Sequence, residues 1–240
     1  MQLAIDVGNT SVKCGVFEDR KIVEVYRFEE SPISGFEEII SGFQIDQSVL
    51  SYSGTDKYGI ENWLQKNNVP NLLFKHGVSL PISVAYETPE TLGRDRLAGA
   101  VAAWTLFPNQ TNLVIDMGTC ITTNVINGQG AFLGGTISPG VAMRAKAMHE
   151  FTAALPLVSL QFPKGYIGTT TETSMQNGIL RGTYFEIQAL IDWFIPVFGI
   201  NNVILTGGGA NFFANLLNFK IFAFPNLVLT GLNEILLYNR

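Results

Sequence analysis

The sequence predicts an α/β protein built by internal duplication, each half a mixed sheet with flanking helices. Three observations carry this. Ile5-Asp6-Val7-Gly8-Asn9-Thr10 is an apolar strand running into Asp-x-Gly and then amide or hydroxyl side chains. Ile115-Asp116-Met117-Gly118-Thr119-Cys120 repeats the pattern 110 residues later, close to half of the 240-residue chain. A third glycine-rich turn, Leu205-Thr206-Gly207-Gly208-Gly209-Ala210, follows another apolar strand. One carboxylate turn is a weak signal, because aspartate favours turns for local reasons. Two related turns and a late triple glycine predict a duplicated domain that closes on a nucleotide from both sides.

The elements follow in order. Residues 2–7 form a compact apolar run, as a buried strand does. Gly8-Asn9 is a tight-turn signal, since both residues tolerate positive φ. Residues 11–17 and 21–28 alternate as two further strands. Residues 36–43 read as a short helix, 48–53 as a strand, and 57–67 as a helix with Ile60, Trp63 and Leu64 on one face. Residues 72–75 are a short strand. Thr88-Pro89-Glu90 opens a helix with a capping hydroxyl, a proline at the first position and an acid at the positive end of the dipole. That helix is predicted to run through Gly93 to Trp104. The second half repeats the plan: strands at 112–116, 121–126 and 130–138, a helix from Pro139 to about Ala154, and a long helix over 171–198. A strand at 203–206, a helix at 210–217 and a terminal helix at 229–238 complete it.

Bulk properties exclude several classes. A net charge of −5 and an isoelectric point near 5.1 argue against a nucleic-acid partner, which calls for a basic patch. No stretch reads as a bilayer helix of about 20 apolar residues; 193–219 is uncharged but holds Pro196 and three consecutive glycines. No signal peptide is read at the start, where Asp6 interrupts the apolar run. Cys14 and Cys120 are too few for a disulfide framework and, with two histidines, give no zinc spacing. The expected location is the cytoplasm. Charged residues make up only 15% and apolar ones 47%, with mean hydropathy +0.23, so an oligomer interface is expected to cover part of the apolar surface.

The turns suit phosphate. Glycine lets backbone N–H groups approach phosphate oxygens, Asn9, Thr10 and Ser11 add donors, and Lys13 on the return strand supplies a point charge. Asp6 is placed to hold Mg²⁺ through water. Asp116 is placed to bind a cation or orient a water, and Thr119 offers a hydroxyl. Gly207 and Gly208, between strand and helix, suit an adenosine. On residues alone, both aspartates also fit plain turn caps, and Asp95-Arg96 also fits a surface charge pair. Cys14 and Cys120 read as small fillers.

With the first phosphate turn, second phosphate turn and adenosine turn in this order, the sequence resembles the actin, hexokinase and Hsp70 superfamily. Within it, the sequence resembles the type III pantothenate kinases along nearly its whole length. The matches are Asp6-Val7-Gly8-Asn9-Thr10 with Lys13, Tyr86-x-Thr88-Pro89, Gly93-Arg94-Asp95-Arg96, Asp116-x-Gly118-Thr119, Gly134-Gly135-x-Ile137-x-Pro139-Gly140, Leu155-Pro156, Gly168-x-x-Thr171 and Gly207-Gly208-Gly209-Ala210. The Gly-x-Asp-Arg and Pro-Gly elements are the specific ones. The resemblance implies two RNase H-like, actin-like ATPase domains, at 1–110 and 111–240. It implies ATP-dependent phosphorylation of the primary hydroxyl of pantothenate, the first step of coenzyme A synthesis. It makes Asp95 the catalytic base and Asp6, Val7, Gly8, Asn9, Thr10, Ser11, Val12 and Lys13 the ATP phosphate loop. Thr119 becomes an ATP contact, and Asp116 a ligand of potassium or ammonium. Tyr86, Gly93, Arg94, Asp95, Arg96 and Thr171 become pantothenate contacts, and the protein a homodimer.

Two stretches depart from the family pattern: Ser51-Tyr52-Ser53-Gly54-Thr55 replaces a more apolar strand end, and Thr169-Thr170 replaces an Arg-Asn pair. Two other functions remain to be separated from this one. A sugar kinase of the same superfamily is distinguished by an acceptor panel with ATP. A catalytically inactive nucleotide-binding regulator would be expected to have lost at least one of Asp6, Asp95 and Asp116.

Overall fold

The computed structural model describes residues 1–29 and 32–240 and divides into two compact units. The first comprises Met1–Asn109, Ile126–Gly134 and Asn226–Arg240. Its sheet runs β3 (Lys21–Phe28), β2 (Val12–Glu18), β1 (Gln2–Val7), β4 (Gln47–Tyr52), β5 (Asn71–Leu73). β1 pairs antiparallel with β2 and parallel with β4, and β4 pairs parallel with β5. β1 is therefore an inner strand with both faces covered, which is why it reads as a nearly unbroken apolar run. Leu3, Ile5, Val12, Val16 and Leu50 join Phe36 of α1 (Ile33–Gly42) and Ile60 and Leu64 of α2 (Ile60–Lys66) in one core cluster. Each such side chain contributes about 1.5–3 kcal/mol on full burial. The exposed Arg20 also reaches the buried Glu234 of the C-terminal helix at 2.9 Å.

α6 (Leu227–Tyr238) packs on α3 (Arg94–Leu106) and on β1, β2 and β4. The two helices meet backbone to backbone: a Cβ on Gly231 would lie 1.8 Å from the Ala98 carbonyl oxygen. The small residues from Ala98 to Ala103, apart from Val101, permit this approach. The C-terminal helix thus belongs to the first compact unit, and the units are not two contiguous halves divided at 110/111. A short parallel pair, β6 (Ser83–Val84) with β9 (Ala131–Gly134), belongs to the first unit as well.

The second unit comprises Gln110–Val125 and Gly135–Pro225. Its strands run β12 (Ile221–Ala223), β11 (Asn202–Thr206), β7 (Asn112–Met117), β8 (Cys120–Ile126), with β10 (Ile137–Pro139) antiparallel to β8. β7, β11 and β12 are parallel. Read from β5 to β2 and from β12 to β8, the two sheets have the same strand order. The helices of this unit are α4 (Val141–Glu150) and α5 (Thr171–Phe198). α5 starts with a capping box between Thr170 and Thr173 and stops at Gly199, whose φ of +64° suits glycine.

Several elements differ from the sequence-based expectation. The helix expected from Pro89 to Trp104 is a 3-10 turn at Pro89–Thr91 followed, after an extended Gly93, by α3. Thr88 does not cap; its hydroxyl meets that of Thr91 at 2.8 Å. The strand expected at 130–138 is broken in two, because the Gly135 backbone lies against the Thr123 carbonyl and leaves no room for a Cβ. Pro139 ends β10, and α4 starts after Gly140 and is shorter than expected. The helix expected at 210–217 is a 3-10 turn at Ala210–Phe212 followed by turns, with the Asn218 N–H donating to Gln188 instead of continuing a helix. Thr171 is the first residue of α5, directly after the capping Thr170.

Candidate nucleotide and acceptor sites

The first turn stands at the C-terminal end of β1. Gly8 N–H donates to the Ser11 carbonyl at 3.0 Å, which leaves Asn9 and Thr10 exposed at the tip and Ser11 buried beneath. In register, Asp6 lies opposite Lys13 on β2 and beside the buried Ser51 on β4. Directly opposed residues project to the same face, so carboxylate and ammonium flank the turn together. The neighbouring Cys14 is fully buried. Burial pushes its thiol well above the usual range, and the Asp6 charge adds to the effect. A thiol so held is protonated and inert.

Asp95 sits in the first turn of α3, where an acid meets the positive end of the helix. It is half-buried, and its Oδ1 accepts the Arg96 N–H at 2.8 Å. A Cβ on Gly93 would lie 2.5 Å from that oxygen, so glycine is what gives the carboxylate its room. The arginines on either side face different groups. Arg96 is buried, with its guanidinium 5.9 Å from the Tyr86 ring and 5.7 Å from the Phe132 ring, which themselves meet edge-on at 6.0 Å. Arg94 lies 5.7 Å from the Tyr52 ring and donates to the Tyr52 carbonyl at 3.4 Å.

Beside Gly93 and Arg94 is a cavity of about 430 Å³. Tyr52, Phe74, Leu80 and Leu97 supply apolar wall, and Lys75 and His76 stand at it with Arg94. Sequence reasoning singles out Gly93 and Arg94, names Ser51–Thr55 only as a departure from the family pattern, and passes over the loop after β5. A signal existed: ligands gather beyond the C-terminal ends of parallel strands, and Ser53-Gly54 and His76-Gly77 follow two such ends. Tyr86, Asp95 and Arg96 do not line the cavity.

In the second unit, Gly118 N–H donates to Cys120 O at 3.1 Å, and Gly118 and Thr119 are exposed. Asp116 pairs in register with Thr206 of β11, so the next residue, Gly207, is brought against the same carboxylate. Gly207 has φ +87°, and a Cβ there would fall 2.4 Å from Asp116 Oδ1 and 2.6 Å from the Met117 carbonyl carbon. Gly209 N–H closes the arrangement on Met117 O at 2.9 Å. The Gly118-Thr119 turn and the triple-glycine turn therefore form one backbone-lined surface. Thr171 is exposed at the start of α5.

Among the described residues no cluster of three or more histidine, cysteine or acidic side chains has metal-site geometry. The donors fit the ions expected all the same. Mg²⁺ at a phosphate site keeps waters and takes one or two carboxylates, which Asp6 beside the turn supplies. A monovalent cation suits a carboxylate set among backbone groups, as Asp116 is.

Residues 2–192 match the family model described as type III pantothenate kinase. Curated proteins of that name are similar over the full length. The one from Cytophaga hutchinsonii is 40% identical over 244 residues, covering 100% of both chains. The one from Flavobacterium johnsoniae is 38% identical, covering 99% of this chain and 98% of its own. Among solved structures, a Campylobacter jejuni protein described as a Baf family transcriptional activator superposes with TM-score 0.64 at 22% identity, covering 99% of this chain and 98% of its own. A ROK family glucokinase from Streptomyces griseus, in complex with glucose and AMPPNP, gives 0.53 at 14%, covering 98% of each. At such identities these two speak for the fold alone. With the repeated strand order they give two RNase H-like domains of the actin-like ATPase type.

Proposed function

The chain belongs to the type III pantothenate kinase family, and from this we infer its reaction: it phosphorylates the primary hydroxyl of pantothenate with ATP, opening coenzyme A synthesis. The observation that carries the reading is full-length identity of up to 40% combined with a Gly-x-Asp-Arg element whose aspartate is held at a helix start.

We assign the roles as follows. Asp95 orients the acceptor hydroxyl and takes its proton as the oxygen bonds to the γ-phosphorus and the bond to the β,γ-bridging oxygen breaks, releasing ADP. Base catalysis of this kind is worth ~10²–10⁴-fold; positioning and charge neutralisation supply the rest. Asp6 to Lys13 cradle the phosphates with backbone N–H groups, hydroxyls and one ammonium. Thr119, Gly207 and Gly208 contact ATP. Tyr86, Gly93 to Arg96 and Thr171 contact pantothenate, and the cavity beside Arg94 has room for its acyl chain and cationic groups for its carboxylate. Mg²⁺, held through water by Asp6, neutralises phosphate charge when bound. Asp116 binds potassium or ammonium.

The protein is proposed to be a cytoplasmic homodimer without nucleic-acid or membrane partners. The dimer reading draws on Phe151, Tyr166, Ile167, Phe185 and Trp193, large apolar side chains that are all at least 60% exposed and that a second copy would cover in part. Among the described residues no helix is long and apolar enough to cross a membrane. The test of function is ADP release by purified protein with pantothenate, glucose and N-acetylmannosamine as acceptors, with the product identified by mass. Turnover with pantothenate is expected; turnover of a hexose without pantothenate would overturn the assignment. Light scattering in solution checks the dimer.

A further inference from the structure

Glu186 lies near the middle of α5 and has no part in the chemistry above, yet three groups converge on it or on its partner. Its Oε1 accepts from Ser138 Oγ at 2.5 Å, and its Oε2 accepts from Arg144 Nη2 at 2.5 Å. Arg144 Nε donates in turn to the Pro139 carbonyl at 2.8 Å. The arginine and glutamate side chains are only 22% and 29% exposed, so water screens the pair weakly. One carboxylate on a 28-residue helix thus grips both ends of the segment 138–144.

That segment backs the second phosphate turn. Pro139 pairs in register with Cys120, and Ser138 with Ile121. Gly140 N–H donates to Thr119 O at 3.1 Å. A Cβ on Gly140 would lie 2.5 Å from both the Gly118 and Thr119 carbonyl oxygens, so the two backbones touch. Any shift of 138–144 is passed on to Thr119 without slack, because close-packed atoms transmit displacement.

We propose that Glu186 is a positioning residue for ATP, holding the Gly118-Thr119 turn through Ser138, Arg144 and Gly140. The proposal rests on the reading of Thr119 as an ATP contact. Its effect is selective: the turn moves, while the Asp95 end of the reaction, on α3, is untouched.

The test is direct calorimetric titration with a non-hydrolysable ATP analogue, together with KM for ATP and for pantothenate, on the full chain well below its unfolding temperature. Misplacing a contact by ~1 Å is worth up to ~10²-fold, and partial relaxation brings the expected change to about tenfold. Glu186→Ala and Arg144→Met should each raise Kd and KM for ATP about tenfold, with KM for pantothenate within twofold of wild type. The double variant should be no worse than either single one, since both break one linkage. Glu186→Gln, which keeps an acceptor for Ser138 and the helix intact, covers the case of an unstable alanine variant and should show an intermediate change. Unchanged ATP affinity with a lowered unfolding temperature would overturn the proposal, as would equal changes toward both substrates. Calorimetry needs no acceptor: a wild-type chain that binds the analogue but ignores pantothenate would refute the substrate assignment, and the Kd shifts would still decide this one.

Discussion

Gly93→Ala isolates the placement of Asp95 from its chemistry. Gly93 has φ −57° and ψ 131°, a conformation open to any L-residue, so alanine brings no backbone strain. Its Cβ would stand 2.5 Å from Asp95 Oδ1 and 3.6 Å from Arg96 Cγ and Cδ, so the carboxylate alone is struck. To regain ordinary van der Waals contact that oxygen must withdraw by about 1 Å, and the 2.8 Å hydrogen bond from Arg96 N–H is lost or stretched. A ~1 Å misplacement costs ~10²-fold in rate, equivalent to about 2.7 kcal/mol of barrier. That is the lower end of what removing a general base costs, ~10²–10⁴-fold. Stability should barely change: the lost bond is worth ~1 kcal/mol, against ~0.4–1 kcal/mol gained by restricting the unfolded chain. Steady-state ADP release should therefore show kcat down about 10²-fold, KM for ATP near wild type and a thermal midpoint within a few degrees. A kcat within threefold of wild type would refute the reasoning, because the carboxylate would then tolerate displacement that catalysis by a positioned base does not.

Other outcomes follow from the same geometry. Asp95→Asn keeps the size of the side chain and an oxygen for Arg96 N–H but loses basicity; turnover should fall by ~10²–10⁴-fold while analogue binding by calorimetry stays near wild type. Rates in potassium or ammonium buffer should exceed those in sodium alone, and Asp116→Asn should remove that difference; equal rates in all three salts would contradict the role given to Asp116. Cys14 bears on the alkaline limit of stability. Its thiol titrates well above its ordinary range when folded but near 8.5 when unfolded, so its contribution is complete below pH ~8.5 and declines as pH rises toward the folded value. The limiting slope is ~1.4 kcal/mol per pH unit. Denaturant melts at neutral and at alkaline pH should show a steeper loss for wild type than for Cys14→Ala, and parallel losses would count against it.

How much of this was legible before folding depends on whether the deciding contact is local. β1, β7 and α5 are written in apolar runs and end signals, and the bounds 171–198 of α5 agree with the helix found. The interruption at Gly93 is not local. Thr88-Pro89-Glu90 is a sound helix opening, but the chain spends it on one 3-10 turn, and glycine then clears space for the Asp95 carboxylate. The place of α6 in the first unit follows from Gly231 meeting Ala98, residues far apart in sequence whose smallness has meaning only once they touch. Glu186 stands out in no pattern, because its partners Ser138 and Arg144 lie 48 and 42 residues away. The cavity escaped notice because its walls come from the ends of separate strands and loops.

The repeated strand order gives the two copies equivalent positions with different surroundings. Register makes Ser51 the counterpart of Thr206: each is a hydroxyl residue, buried, beside the aspartate of the neighbouring parallel strand. The position that follows is where the copies part. In the second unit it is Gly207, and no side chain fits there, because the Asp116 carboxylate and Met117 backbone occupy the space. The result is a flat surface of peptide groups, suited to a nucleotide lying on it. In the first unit the position is Tyr52, whose ring faces Arg94 and walls the cavity next to Gly93. A side chain there roofs a recess of the size small acceptors occupy. One substitution at the end of a duplicated strand thus separates a backbone platform from a side-chain pocket. The departure from the family pattern at Ser51–Thr55 falls on this point, at the cavity wall and against β1, where the Ser53 N–H donates to the Val7 carbonyl at 3.0 Å.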